Sequence, residues 1–383
     1  MQVIIVGGGI AGTTCAEELR KLDPQAEITI VSEEYHPLYS RVLLPHYLKG
    51  KVPRERVFLK TENWYSENNI EWITGERAEK FDTKNSFVLL SNGRELPFDK
   101  LVFAGGRNTR PLAEDRRGVA YLWTLDDADH LQQLISEQPQ PCSVGVYGGG
   151  LIGCEFINIF KNFGLDIAVA FRGKYFWSRV LDEESGKLIN QQLEKNNIKI
   201  LSEAKFIGLY GDSEIDGVET DKGNVDCKIL GVGIGLEPDI SWFGDSGLKT
   251  GQGIIVNEKM ETNIPNVYAI GDIAEVFDVH SQRNRIMGSW TAAQAQGRIV
   301  AHNLLGEDQK FEQVSVSSMN LVGLDIIFLG DTNRETADEI KVEGSASDGG
   351  VLQIFYKAGR VVGATLINKN SEREKIVKLM ENR

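Results

Sequence analysis

An α/β fold class follows from two glycine fingerprints set well apart in the chain. Gly7-Gly8-Gly9-Ile10-Ala11-Gly12 follows the β-type run Gln2-Val3-Ile4-Ile5-Val6, and Gly148-Gly149-Gly150-Leu151-Ile152-Gly153 follows Ser143-Val144-Gly145-Val146-Tyr147. Each opens a helix-forming stretch. A third observation is a later strand-like run ending in an acid, Asn266-Val267-Tyr268-Ala269-Ile270-Gly271-Asp272, with a helix-forming segment behind it. One fingerprint alone is weak, because glycine-rich turns are common. Two, each in strand–turn–helix context, are far more specific. They predict two Rossmann-like dinucleotide-binding folds, the second inserted in the first, plus a small α+β C-terminal domain.

The elements follow in order. Residues 1–110 and 236–308 form the first fold, 111–235 the inserted one, and 309–383 the C-terminal domain. In the first, a strand over 3–6 leads to a helix over 11–22 and a strand over 27–31. An extended loop runs from 32 to about 53, and strands follow over 87–90 and 101–104. In the second, the fingerprint opens a helix over 151–163. A strand over 166–171 follows, and the unit closes with one over 229–233. The acid-ending run over 266–272 and a helix over 290–305 complete the first fold. Strands over 352–356 and 361–367 precede a charged C-terminal helix, and Ala346-Ser347-Asp348-Gly349-Gly350, ahead of the first of them, reads as a hairpin connection.

The fingerprints carry a defined chemistry. The first glycine permits the tight turn, the second lets backbone approach a pyrophosphate, and the third lets helix and strand pack closely. The helix N-terminus then presents free N–H groups and a positive dipole end to the phosphates. Two such sites imply two dinucleotides, and two dinucleotides imply electron transfer between them.

Bulk properties narrow the class. At 383 residues the chain exceeds one ordinary domain. Its 41% hydrophobic and 25% charged content is that of a globular protein. Its apolar runs are strand-sized and fall short of a membrane span. The sequence starts directly on a strand, which reads as the absence of a signal peptide. Cys15, Cys142, Cys154 and Cys227 form no CxxC pair. That argues against a zinc site, an iron–sulfur site and a disulfide scaffold, and fits a reducing cytoplasm. The five histidines show no metal spacing, so no metal is expected. A net charge of −13 disfavours nucleic acid and anionic membrane as partners.

Five motifs in this order carry a resemblance: GGGIAG, Ala104-Gly105-Gly106, GGGLIGCE over 148–155, GVGIGLEPD over 231–239, and YAIGD over 268–272. The chain resembles the two-dinucleotide-fold flavoprotein reductases, the pyridine nucleotide–disulfide oxidoreductase superfamily. Within it the chain is most similar to rubredoxin reductases and the flavin modules of nitrite reductases. Tyr39-Ser40-Arg41-Val42-Leu43-Leu44-Pro45 matches their loop beside the flavin, and the stretch over 359–367 matches the end of their short third domain. The resemblance implies FAD in the first fold and NADH or NADPH in the inserted one.

For FAD, Gly7, Gly9 and Gly12, with Ile10 and Ala11, line the pyrophosphate. Glu33, about 21 residues beyond Gly12, is placed to accept the adenosine ribose hydroxyls, with Glu34 the neighbouring competitor. Asp272, after Gly271, accepts a ribityl hydroxyl. Ala104-Gly105-Gly106 replaces the family's Ala-Thr-Gly, keeping close approach and losing a hydroxyl. Arg41 neutralises phosphate or sits at the flavin edge, or else is a surface arginine. Trp290 either opens the helix near the flavin or packs in the core.

For the second nucleotide, Gly148, Gly150 and Gly153, with Leu151, Ile152 and Gly233, form the cradle. Glu155 matches a carboxylate that the family places near the nicotinamide. NADH-specific members set an acid after the second strand. Here Ala170-Phe171-Arg172 stands instead, followed by Lys174 and Arg179, with no carboxylate before Asp182. A guanidinium there answers a 2′-phosphate, which leans the reading to NADPH. The alternatives are a solvated basic loop that holds adenosine loosely, or a fold that has lost its nucleotide.

Absence sets the reaction subtype. The family's disulfide reductases need a cysteine pair after the first strand–helix–strand unit, and its peroxidases and water-forming oxidases a single one. Residues 32–53 contain none, and no histidine follows His302 to serve a C-terminal acid–base pair. Electrons on the flavin must then leave directly. The expectation is an FAD-dependent NAD(P)H oxidoreductase for an external acceptor, a carrier protein such as rubredoxin first. Rival readings are a flavin NAD(P)H oxidase or quinone reductase, and a non-enzymatic flavin-bound interaction protein. The cluster Arg54, Arg56, Lys60 is either a carrier-docking patch or a solvated face. The third domain either docks the carrier or forms a homodimer.

Overall fold

The structure is a computed structural model that describes residues 1–139 and 141–381. Gln140, within the expected second fold, and Asn382 and Arg383, at the end of the expected third domain, lie outside the described residues. By its contacts the chain forms two compact units. One comprises residues 1–40, 54–108 and 237–315; the other comprises 41–53, 109–236 and 316–381.

The first unit is built on a five-stranded parallel sheet. Its order is Val267–Ala269, Lys100–Phe103, Gln2–Val6, Glu27–Ser32, Ile70–Thr74. The run Val3-Ile4-Ile5-Val6 is apolar without alternation because a parallel sheet is covered on both faces, and Val3, Ile4 and Ile5 are buried. Helix Ile10–Leu22 packs closely on helix Trp290–Leu304. The crossing is tight at Gly297, where a Cβ would lie 2.5 Å from the Ala11 carbonyl oxygen. An antiparallel meander, Ala78–Asp82, Phe87–Leu90 and Glu95–Pro97, precedes the strand Lys100–Phe103.

The second unit repeats this plan. Its parallel sheet runs Lys199–Leu201, Asp166–Ala170, Ser143–Tyr147, Ile229–Val232, Val119–Ala120. A second three-stranded meander, Phe206–Tyr210, Gly217–Thr220 and Gly223–Asp226, precedes the strand Ile229–Val232. The C-terminal part adds a five-stranded antiparallel sheet in the order Val316–Leu321, Leu324–Gly330, Arg360–Ile367, Gly350–Lys357, Glu339–Ser345, with helix Arg373–Glu381 after it. The chain therefore has two Rossmann-like folds and an α+β C-terminal domain.

Expected and observed elements differ in instructive places. The helix expected over 151–163 is Leu151–Asn162, and the strand expected over 166–171 stops at Ala170. The run expected as a strand to Asp272 ends at Ala269, and Asp272 sits in a 3-10 turn, Gly271–Ile273. The loop expected to be extended over 32–53 contains a short helix, Leu44–Leu48, with Pro45 in its first turn. The Tyr47 hydroxyl fastens that helix by donating to Asp129 Oδ1 at 2.8 Å, on helix Leu125–Glu137. Among the described residues no helix is long and apolar enough to cross a membrane.

Candidate dinucleotide-binding sites

Both fingerprints fold into the same cradle. Gly7 has φ +125°, and its N–H donates to Val31 O at 2.8 Å. A Cβ on Gly7 would lie 2.2 Å from Ala104 O, and one on Gly12 would lie 2.1 Å from Gly7 O. Gly148 has φ +128° and donates to Ala170 O at 2.9 Å. A Cβ there would meet Gly233 O at 2.2 Å, and one on Gly153 would meet Gly148 O at 2.1 Å. The middle positions differ from these. Gly9 has nothing within 4 Å of its would-be Cβ, and Gly150 only Gly233 O at 3.9 Å. So the outer glycines close the turn on backbone, and the middle one leaves space where a ligand's phosphates fit. Both helices begin with a glycine N-cap, no capping side chain and no acid in the first turn, which leaves N–H groups for an anion. Ile10, Ala11, Leu151 and Ile152 form these first turns.

In the first unit further groups gather at the helix start. Gly271 has φ +74°, its N–H donates to the buried Gln296 Oε1 at 2.7 Å, and its would-be Cβ lies 3.1 Å from that of Ala11. This turn sets Asp272 beside Arg107. Nε and Nη2 of Arg107 donate to Asp272 Oδ2 at 3.0 and 2.5 Å. Arg107 directly follows Ala104-Gly105-Gly106, and Nη2 lies 3.3 Å from the would-be Cβ of Gly288, two residues before Trp290. Trp290 is half-buried at the first position of its helix, whose Ser289 cap accepts from the Ala292 N–H. Glu33 is 67% exposed and pairs with Arg77 at 3.6 Å. Glu34 accepts from the Tyr39 hydroxyl at 2.5 Å. Lys60 pairs with Glu17 at 3.0 Å and lies over the Trp64 ring, so it is engaged within its unit.

In the second unit the two registers align. Val6 pairs with Val31 as Tyr147 pairs with Ala170. Counting on, Ser32 corresponds to Phe171, and Glu33 to Arg172. Phe171 is buried, 3.2 Å from the would-be Cβ of Gly149, where Ser32 stands against Gly8. Arg172, Lys174 and Arg179 are exposed, and among the described residues no ion pair engages them. Glu155 stands on the helix Leu151–Asn162. Burial pushes its carboxyl above the ordinary range, against the opposing pull of Lys49 and Asn158. The Lys49 ammonium is 3.9 Å from Glu155 Oε2, an ion pair without a hydrogen bond, and that oxygen is buried with no hydrogen-bond partner. An orphaned oxygen near an open cradle fits a ligand group. Arg41, in the same unit, lies over the Trp123 ring at 5.0 Å and donates to Trp123 O.

All four thiols are buried and free. Burial pushes Cys15 and Cys227 up to about 12, and raises Cys142 and, strongly, Cys154. None is a thiolate at neutral pH, so none is a ready redox nucleophile.

The family profile described as pyridine nucleotide-disulphide oxidoreductase matches residues 1–297. The chain belongs to this family. It is 30% identical over 388 residues to a nitrite reductase [NAD(P)H] of Bacillus subtilis, which covers 99% of the chain and 47% of that protein. It is 26% identical to an NADH-rubredoxin oxidoreductase of Clostridium acetobutylicum, covering 100% of the chain and 94% of the relative. Its fold matches the reductase of a covalent putidaredoxin reductase–putidaredoxin complex with a TM-score of 0.92 at 25% identity, covering 100% of this chain and 93% of that one. The chain spans about half the length of the Bacillus nitrite reductase and of a second Bacillus subtilis relative, an assimilatory nitrate reductase electron transfer subunit. The family supports FAD and a nicotinamide dinucleotide as the cofactors, and both cradles have the shape they need.

The sequence reading did not find Arg107, Gln296, Lys49 or Arg77. Arg107 carried a usable signal, since it directly follows a glycine motif already assigned to the site. The other three lie in segments with no motif, and their roles come from contacts distant in sequence.

Proposed function

We propose that this chain is an FAD-dependent NAD(P)H oxidoreductase that delivers electrons to a small redox carrier such as rubredoxin or a ferredoxin. The observation that carries the reading is the pair of glycine cradles in a chain whose four thiols are all buried. FAD would rest on Gly7, Gly9, Ile10, Ala11 and Gly12, with Ala104, Gly105 and Gly106 alongside. Glu33 or Glu34 would take the adenosine ribose, and Asp272 a ribityl hydroxyl, with Trp290 at the near helix start. The nicotinamide dinucleotide would rest on Gly148, Gly150, Leu151, Ile152, Gly153 and Gly233. Bound together, the two cofactors supply hydride transfer from nicotinamide to flavin and onward release of electrons.

The side chains have positioning and electrostatic work. Arg107 holds Asp272 in its acceptor orientation and offsets its charge. Lys49 keeps Glu155 within reach of ionisation despite burial. No side chain acts as nucleophile, and the reading requires none. The donor is NADPH: Arg172 stands where the first fold carries Glu33, and Lys174 and Arg179 add charge nearby. A guanidinium grips a 2′-phosphate in a fork that a carboxylate would repel. The four free cysteines suit a reducing cytoplasm.

The test is an anaerobic mix of the purified yellow protein with NADPH and, separately, with NADH, followed by the oxidised-flavin absorbance. Bleaching by NADPH at least about tenfold faster at low concentration is expected, from one well-placed charged hydrogen-bonded contact. An NADH preference would overturn the donor assignment. No bleaching by either nucleotide would overturn the reductase.

A further inference from the structure

The basic segment after strand Asp166–Ala170 is a built structure, and the C-terminal sheet builds it. Trp177, with φ +50°, turns the chain so that its carbonyl accepts from Val180 and Leu181 N–H at 2.7 and 2.8 Å. Phe176 is fully buried against Phe171, ring centroids 4.7 Å apart. Gly173 O accepts from Glu203 N–H at 2.9 Å. Two strands of the C-terminal sheet then fasten the end of the segment. Phe328, on Leu324–Gly330, meets the Trp177 ring edge to face at 5.2 Å. Gln353, on Gly350–Lys357, is 0% exposed. Its Nε2 donates to Val180 O at 2.7 Å, and its Oε1 accepts from Asp182 N–H at 2.9 Å. Asp182 in turn caps helix Glu183–Lys195 by accepting from Ser185 N–H.

A buried primary amide is costly unless its polar ends are satisfied. Between strand neighbours Leu352 and Ile354, an apolar residue would fill the same place without that demand. Here both ends of the amide are spent on one segment, some 170 residues away in sequence. That segment carries Arg172, Lys174 and Arg179, whose exposed side chains need a fixed backbone to converge on one phosphate. Long cationic side chains on a loose loop lose more freedom on binding than those on an anchored one.

We propose that Gln353 is a positioning residue for nucleotide specificity: from the C-terminal sheet it anchors residues 172–182 so that their cations meet the 2′-phosphate of the donor. This rests on the NADPH reading above. It gives the C-terminal domain a role in choosing the electron donor.

The experiment is calorimetric titration of the FAD-loaded full chain with adenosine 2′,5′-bisphosphate and with ADP, for the wild type and Gln353→Leu. The wild type binds the 2′-phosphorylated ligand more tightly. Gln353→Leu weakens that ligand about tenfold, the effect of about one lost charged contact, and changes ADP less than about twofold. Phe328→Leu, which keeps an apolar side chain, produces the same selective loss at smaller size, and it carries the test if Gln353→Leu does not fold. A wild type without preference for the 2′-phosphate overturns the NADPH reading and this inference with it. A wild-type preference that survives intact in Gln353→Leu, or in Phe328→Leu if only that variant folds, overturns this inference alone. Equal weakening of both ligands also overturns it, because it would show general damage to the fold.

Discussion

Arg107 and Asp272 show how one side chain can decide what its neighbour does. Asp272 stands in a motif and Arg107 directly follows one, but their pairing was not legible, because it joins residues 165 apart. Removing the guanidinium leaves the half-buried Asp272 carboxylate, which we propose serves FAD, without its partner, at a cost of about 1–3 kcal/mol. Arg107→Met is therefore expected to raise the FAD dissociation constant about tenfold or more. Flavin fluorescence released on dilution measures this, and unchanged retention would remove Arg107 from the site. Glu155 gives a pH signature. Burial raises its folded pKa above the unfolded one, so the folded chain binds the proton more tightly. Its contribution is neutral at acid pH and becomes destabilising as pH rises from the ordinary carboxylate pKa through the raised folded value. Above that window the cost is fully present. Thermal midpoints of wild type and Glu155→Gln should coincide at acid pH, and the variant should gain on the wild type as pH rises across the window. A constant offset would show that Glu155 is not held this way.

At the scale of elements, the strand–turn–helix units were readable because they combine two strong signals. An uninterrupted apolar run marks a strand covered on both faces, and a glycine triplet marks the turn. The short helix Leu44–Leu48 was not readable. Five residues are too few to show a helical period, and its hold comes from Tyr47 on a distant helix. The two cradles are equivalent in backbone and separate in sequence, so they can be broken singly. In Gly12→Ala the new methyl would meet Gly7 O at 2.1 Å, and in Gly153→Ala it would meet Gly148 O at 2.1 Å. Backbone cannot move aside as a side chain does, so each change costs at least about 1–3 kcal/mol at its own turn. Gly12→Ala is expected to purify with little flavin. Gly153→Ala is expected to keep its yellow colour and bleach with dithionite, but to need at least about tenfold more NADPH. Loss of flavin from Gly153→Ala would argue against separate sites.

For the whole molecule, the sequence pattern revealed the plan of two nucleotide folds with a C-terminal domain behind them. What the pattern could not carry was the tie between that last domain and the basic segment of the second fold. Gln353 interrupts the apolar run Val351–Phe355 of its strand, and nothing local distinguishes a satisfied amide from a misplaced one. The burial of Cys15, Cys142, Cys154 and Cys227 also belongs to this scale, since no local motif announces it. The central claim is that electrons enter through one nucleotide, rest on one flavin and leave without a sulfur relay. An anaerobic reductive titration of the FAD-loaded chain with NADPH tests it most directly. The account predicts an end point at about one NADPH per flavin, two electrons in all, the capacity of the flavin itself. An end point near two NADPH per flavin would reveal a second two-electron centre and contradict the account.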